Sequence, residues 1–185
     1  MSQITVITAS LPERADLLRD AIASVRAQTH LPADHLIGID YQRIGGARVR
    51  NALVAATTTP WVQILDDDDL LMPEHLAALA AKADATGADI VYSYCSVEGD
   101  DTFNLYNRPY DRETLRNLSI VSHNALVRTE LLLDLGGWLE EPGYDWKLWN
   151  RAADAGAKFA CLEERTWHYR LNPTWRHESR PWTGQ

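Results

Sequence analysis

The chain has 185 residues, the size of a single domain, and is long enough to bury a sizeable core. Its 45% hydrophobic and 24% charged residues are an ordinary globular mixture, while a net charge of −8 argues against nucleic-acid binding over an extended basic face. No run of 18 apolar residues exists, Cys95 and Cys161 supply neither a disulfide scaffold nor zinc-site spacing, and MSQITVITAS does not read as a secretory leader. The expectation is a cytoplasmic chain with no transmembrane segment.

Ile4 to Thr8 reads as a short buried strand. After Pro12, the positions Leu17, Leu18, Ala21, Ile22 and Val25 follow helical spacing. A second strand is expected over His35–Asp40, and Gly45-Gly46 precedes a helix carrying Arg50 and Asn51. Pro60 breaks that helix ahead of a third strand, Trp61–Leu65, and a further helix runs from about Pro73 to Thr86 before Gly87. Ile90 to Tyr94 is a fourth strand. This alternation is the grammar of a parallel sheet wound with helices, in which ligands sit at the carboxyl ends of the strands. Those ends carry Thr8-Ala9-Ser10, Asp40 and Asp66–Asp69.

The second half predicts a strand over Ser122–Arg128, a short helix from Thr129, a helix over Asp145–Ala155, and strands at Phe159–Leu162 and Trp167–Tyr169. No repeat or linker divides the chain, so one domain is expected, with residues 1–95 as its first half and 96–164 as a second half supplying the acceptor side of a cleft. Residues 165–185 form a basic, aromatic tail with four Arg, two His and three Trp against Glu178 alone.

The sharpest feature is Leu65-Asp66-Asp67-Asp68-Asp69-Leu70-Leu71-Met72-Pro73. Four adjacent carboxylates resist ionising together. A divalent cation relieves that repulsion, and oxygen donors suit Mg²⁺ or Mn²⁺. Acids also favour a helix N-terminus, with Asp69 nearest the following helix, although one or two would serve that purpose.

This string resembles the L-D-x-D-D-x-x-x-P segment of the family 2 glycosyltransferases, with Asp66 and Asp68 at the places of the Asp-x-Asp motif. Further matches follow in order. Ser24 to Gln28 resembles the Ser-x-x-x-Gln turn, GGARVRNALVAA the G-x-x-x-A-R-N segment, and LGGWLEEPGYDWKLWNRAADAG the stretch from G-G-[FW] to E-D-x-x-L-x-x-R. The resemblance implies a GT-A fold, an α/β single domain with a mixed, mainly parallel sheet flanked by helices. It also implies sugar transfer with inversion from a UDP-, GDP- or dTDP-linked donor to a hydroxyl acceptor, assisted by Mn²⁺ or Mg²⁺.

By the same resemblance, Thr8, Ser10 and Asp40 would hold the base, where an Asp can accept an imide N–H. Asp40 is equally suited to initiating a turn. Ala9, Arg50, Asn51 and Asp67 complete the donor side, Asp66 lies near ribose and metal, and Asp68 ligates the metal. Asp145 is the general base, and it is also placed to cap a helix. His168 is the expected C-terminal metal ligand, with His177 as the alternative. Arg170, Arg176 and Arg180 would fold over the diphosphate, and Trp138 and Tyr144 would stack on the acceptor. Tyr144 and Lys147 stand where the family has acids, so the acceptor pocket departs from the usual pattern. Two rival readings are a catalytically degenerate binding module and a sugar-nucleotide-forming nucleotidyltransferase. ASLPERAD lacks the Gly-rich loop the latter uses.

Overall fold

In the computed structural model, residues 2–97 and 106–170 are described. Strand β1 (Ile4–Ser10) is almost wholly buried because β2 (Asp34–Ile39) and β3 (Trp61–Ile64) flank it in parallel and its two faces carry different halves of the core. Strand residues alternate between faces, so Val6 and Trp61 join one cluster while Ile7 and Val62 join the other. Helix α1 (Ala15–Arg26) returns the chain from β1 to β2 and buries Leu18, Ala21 and Val25, the positions set by its 3.6-residue period. Helix α2 (Gly46–Ala56) leads from β2 to β3 and packs closely on the sheet at Gly38, where an added Cβ would lie 2.4 Å from Val49 Cγ1.

Past β3 the chain crosses the acidic run to β4 (Leu70–Leu71), then enters α3 (His75–Thr86) and β5 (Ile90–Val97). Gly87 closes α3 with φ +64°, a conformation that favours glycine. Helix α4 (Arg112–Asn117), strand β6 (Leu126–Arg128), helices α5 (Thr129–Asp134) and α6 (Tyr144–Asp154) and strand β7 (Phe159–Tyr169) complete the described fold. The seven strands lie in the order β2-β1-β3-β6-β5-β7-β4. Strand β6 is antiparallel to β3 and β5, β4 is antiparallel to β7, and the longer ladders are parallel.

Several elements differ from expectation. Only Leu126–Arg128 of the segment 122–128 is strand, because His123 and Asn124 turn toward the acidic run. The two expected C-terminal strands are one, β7, whose register against β5 shifts near Tyr94. Strand β4 and helix α4 were not anticipated. Strand β4 separates the acidic run from α3, so Asp69 does not cap that helix.

The Ser-x-x-x-Gln turn has a structural task. Gln28 Nε2 donates to the Met72 carbonyl at 2.7 Å, Gln28 Oε1 accepts from the Leu76 amide at 3.0 Å, and Ser24 Oγ accepts from the Leu71 amide at 3.2 Å. The end of α1 thereby ties down the chain on the far side of the aspartates and satisfies an orphan amide in the first turn of α3.

Candidate active site

The carboxyl ends of β1 and β3 meet the loop after β2 at a cleft of about 540 Å³ lined by Ala9, Ser10, Asp40, Asp66, Asp67 and Asp68 from one side and by Arg50, His123, Tyr144, Tyr169 and Arg170 from the other. The aspartates share Arg14, Arg50 and His123 as partners. Arg14, in the single 3-10 turn after β1, reaches Asp67 and Asp68 with one nitrogen, at 2.6 Å each. Ser10 Oγ also donates to Asp67 at 2.5 Å. Burial raises the Asp67 pKa against the pull of Ser10 and Arg14.

Asp69 is fully buried and accepts from His123 Nε2 at 2.8 Å, Asn124 Nδ2 at 2.9 Å and the Arg170 amide at 3.2 Å. Burial lifts its pKa to about 6 in spite of His123. Burial also opposes charge on His123, yet Asp66, 3.5 Å away, and Asp69 overcome it and hold the imidazole up to about 9. His123 and Asp69 thus face each other as a buried acid–base pair beneath the run.

Arg50, buried on α2, bonds Asp66 and lies 3.5 Å from Asp145. Burial works against its charge, but those two carboxylates raise its pKa further above the usual arginine value. Asp66 resists its own burial and is held below the usual carboxylate range by Arg50 and His123. Asp145 goes the other way, because burial outweighs Arg50 and its pKa rises. It sits in the first turn of α6, beside Tyr144 of the cleft lining, and makes no cap hydrogen bond there. Its Oδ1 accepts from Trp138 Nε1 at 2.7 Å. The Arg50 guanidinium lies over the Trp138 and Tyr144 rings, 5.8 and 5.3 Å from their centroids.

The structure thus gathers Ala9, Ser10, Asp40, Arg50, Asp66, Asp67, Asp68, Tyr144 and Arg170 at one cleft, with Asp145 adjoining. Other expectations need correction. Thr8 is buried and bonds His35 Nε2 at 3.0 Å on the neighbouring strand, so it does not line the cleft. Both oxygens of Asp40 accept backbone N–H groups, from Ile44 at 2.9 Å and Gly45 at 2.8 Å. Asp40 therefore shapes the loop before α2 while it also lines the cleft.

Asn51 spends its amide on the backbone of Trp138, and Trp138 is only 2% exposed, with no face open for an acceptor to stack on. His168 is exposed and alternates with Trp167 and Tyr169, whose rings meet His123, so it faces away from Asp66 and Asp68. Arg176, His177 and Arg180 lie outside the described residues.

Sequence reading missed the roles of Arg14 and His123. Arg14 appeared as a lone arginine in ASLPERAD, and His123 as part of a strand. The available signal was Ser-His-Asn ahead of an apolar strand. Because β6 runs antiparallel to β3, its start lies at the carboxyl end of β3, where the aspartates are.

Among the described residues, no three His, Cys, Asp or Glu side chains form a cage for a metal. Asp66 and Asp68, each about a quarter exposed at 26% and 23%, do offer hard carboxylate oxygens at the cleft. That donor set fits Mg²⁺ or Mn²⁺ held by one or two carboxylates with phosphate oxygens and water completing the shell.

The fold and this carboxylate-rich cleft define a glycosyltransferase-type α/β domain of GT-A architecture. The profile described as Glycosyl transferase family 2 matches residues 35–133, and the chain belongs to that family. A stretch of 117 residues, 63% of the chain, is 30% identical to the succinoglycan biosynthesis protein ExoO of Rhizobium meliloti (strain 1021), of which it covers 33%. Residues 1–349 of S. aureus TarS, in complex with UDP, superpose with a TM-score of 0.75 at 15% identity, over 92% of this chain and 61% of that one. The mannosyltransferase PcManGT from Pyrobaculum calidifontis, in complex with GDP-Man and Mn²⁺, gives 0.73 at 17% identity, over 95% and 59%. The chain thus spans one third of that curated relative and about three fifths of these solved structures. No helix of the described residues is long and apolar enough to cross a membrane.

Proposed function

We propose that this domain transfers a sugar from a nucleoside-diphosphate sugar to a hydroxyl acceptor with inversion, assisted by a divalent cation. The observation that carries the reading is that one buried guanidinium, Arg50, joins Asp66 at the donor cleft to Asp145 at its rim. A proton-accepting carboxylate is thereby fixed beside an acidic, metal-suited edge. The complexes of TarS with UDP and of PcManGT with GDP-Man and Mn²⁺ support a nucleotide-sugar donor.

In this reading, residues 1–95 receive the donor and the elements after β5 face the acceptor. Asp66 and Asp68 would hold Mn²⁺ or Mg²⁺, which when bound would neutralise charge on the departing diphosphate. Arg14 and Arg170 line the same cleft, and their guanidinium groups suit phosphate oxygens. Asp145 takes the acceptor hydroxyl's proton while that oxygen forms its bond to the anomeric carbon. The bond from that carbon to the diphosphate oxygen breaks, and its electron pair leaves with the diphosphate. Burial raises the Asp145 pKa, which strengthens it as a proton acceptor near neutral pH.

Calorimetric titration of UDP, GDP and dTDP, with and without Mn²⁺, tests the donor site. One nucleotide should bind, with metal, and Asp68→Ala should abolish the metal-dependent part. Absence of binding by every nucleotide would refute the donor assignment. Mn²⁺-dependent affinity that survives in Asp68→Ala would refute that residue as a ligand.

A further inference from the structure

Several contacts that this reading leaves unused converge on Trp138. The indole is almost wholly buried, and its N–H ends on Asp145 Oδ1. Asn51 grips the backbone of the same residue at both polar atoms: Nδ2 donates to the Trp138 carbonyl and Oδ1 accepts from the Trp138 amide, both at 2.9 Å. Gly137, at φ +68°, makes this grip possible, since a Cβ there would lie 2.0 Å from Asn51 Oδ1. On the other side Arg151, from the helix that carries Asp145, donates to the Leu135 carbonyl at 2.6 Å and also to the Gly137 carbonyl.

The loop bearing Trp138 is therefore clasped between α2 and α6, and α2 also supplies Arg50, whose Nη1 reaches the same Oδ1 at 3.5 Å. The Trp138 and Arg50 contacts fall on one oxygen.

We propose that Trp138 is a positioning residue for the Asp145 base, its N–H fixing Oδ1 and the Asn51–Gly137–Arg151 clasp fixing the indole. This rests on Asp145 being the base, as argued above. It also gives a task to the second Gly of LGGW and the Arg of YDWKLWNR, which the motif matches left without one, and moves the Asn of GARVRN from the donor side to this clasp. An indole whose only duty is packing needs no amide clamp on its backbone and no partner for its nitrogen other than any nearby carbonyl. Here the partner is the carboxylate itself.

The test uses water as acceptor, following release of UDP from UDP-GlcNAc and of GDP from GDP-mannose with Mn²⁺, and measures nucleotide Kd in parallel. Trp138→Phe removes the N–H and keeps an apolar ring. It should leave nucleotide Kd and donor KM unchanged and lower kcat about 10- to 100-fold, the size expected of a base displaced by a fraction of an ångström to one ångström. Asn51→Ala should show the same split, and it carries the comparison if Trp138→Phe does not fold.

In an Asp145→Asn background, Trp138→Phe should cost nothing further, since a positioning residue has nothing left to position. Unchanged kcat in Trp138→Phe, or a full additional loss in the double variant, would overturn the proposal while the base assignment stands. A wild-type chain that binds nucleotide but releases none from either donor, with Asp145→Asn indistinguishable from it, would overturn the base assignment and this proposal together.

Discussion

Replacing Arg50 by Met keeps much of the side-chain length and removes the single charge that holds two carboxylates. Arg50 is 5% exposed, bonded to Asp66 and 3.5 Å from Asp145. At an effective dielectric constant of about 20, each attraction at that range is worth about 4–5 kcal/mol before desolvation is subtracted. Removing one partner of a buried ion pair typically costs about 3–5 kcal/mol, because the other charge is left uncompensated. Asp66 and Asp145 keep about a quarter of their side-chain surface, 26% and 25%, in water. Solvent recovers part of the cost, and we expect about 3 kcal/mol at pH 7. For a domain of this size that is a fall in Tm of about 6–12 °C.

The measurement is urea and thermal unfolding in the presence of chelator at pH 7 and again at pH 4.5. In the wild type, Asp66 has a lowered pKa and stabilises the fold above the usual carboxylate range. In the variant both carboxyls lose their cation and their pKa values rise, so the penalty is present at neutral pH and shrinks as protons neutralise them. A loss below about 1 kcal/mol at pH 7, or an equal loss at both pH values, would refute the account of Arg50 as the charge that makes this cleft tenable.

Gln28→Ala should cost about 3 kcal/mol in urea unfolding, since it strands the Leu76 amide and the Met72 carbonyl together; a loss under about 1 kcal/mol would show that water replaces the clamp. Gly38→Ala should cost about 1–3 kcal/mol by pressing its Cβ into Val49, a β-branched helix residue with one preferred rotamer, and the double change with Val49→Ala should recover part of that loss. Buried His75, with Nδ1 2.7 Å from Thr166 Oγ1, is pushed down to about 3 by burial. A base with a depressed folded-state pKa stabilises fully above about pH 6.5 and loses that contribution as pH falls. His75 therefore withdraws about 2 kcal/mol by pH 5, and His75→Gln should flatten the stability curve between pH 6.5 and 4; an unchanged slope would remove His75 as the cause.

Periodicity located β1, α1 and α2 because each carries its own signal: a β-branched buried run, apolar residues at i, i+3 and i+7, and a glycine pair before a helix. It also put Asp66–Asp69 at a strand end. Partners distant in sequence were not legible. Strand β4 has two residues, and its identity comes from pairing with His168 and Trp167, nearly a hundred positions away. The burial of Asp69 depends on His123 and Asn124, which local pattern read as strand. Thr8 and His168 stand apart from the cleft lining for simpler reasons. Thr8 Oγ1 is held by His35 on the neighbouring strand, and alternation turns His168 away from the side that Tyr169 faces.

The acidic run also works as a strut. It connects β3, third across the sheet, to β4 at its far edge, four strand spacings away. On a flat sheet those spacings sum to about 19 Å. From Ile64 to Leu70 a fully extended chain reaches only about 20–22 Å, and the Asp69 amide already turns back to the Asp66 carbonyl at 3.2 Å. With that turn the tether is too short for a flat sheet, so it draws β4 toward β3 and curls the sheet at that end. Removing one residue from 65–69 would strain the β4–β7 pairing, and adding one would let β3 and β4 relax apart. The number of aspartates is thus constrained by distance as well as by charge.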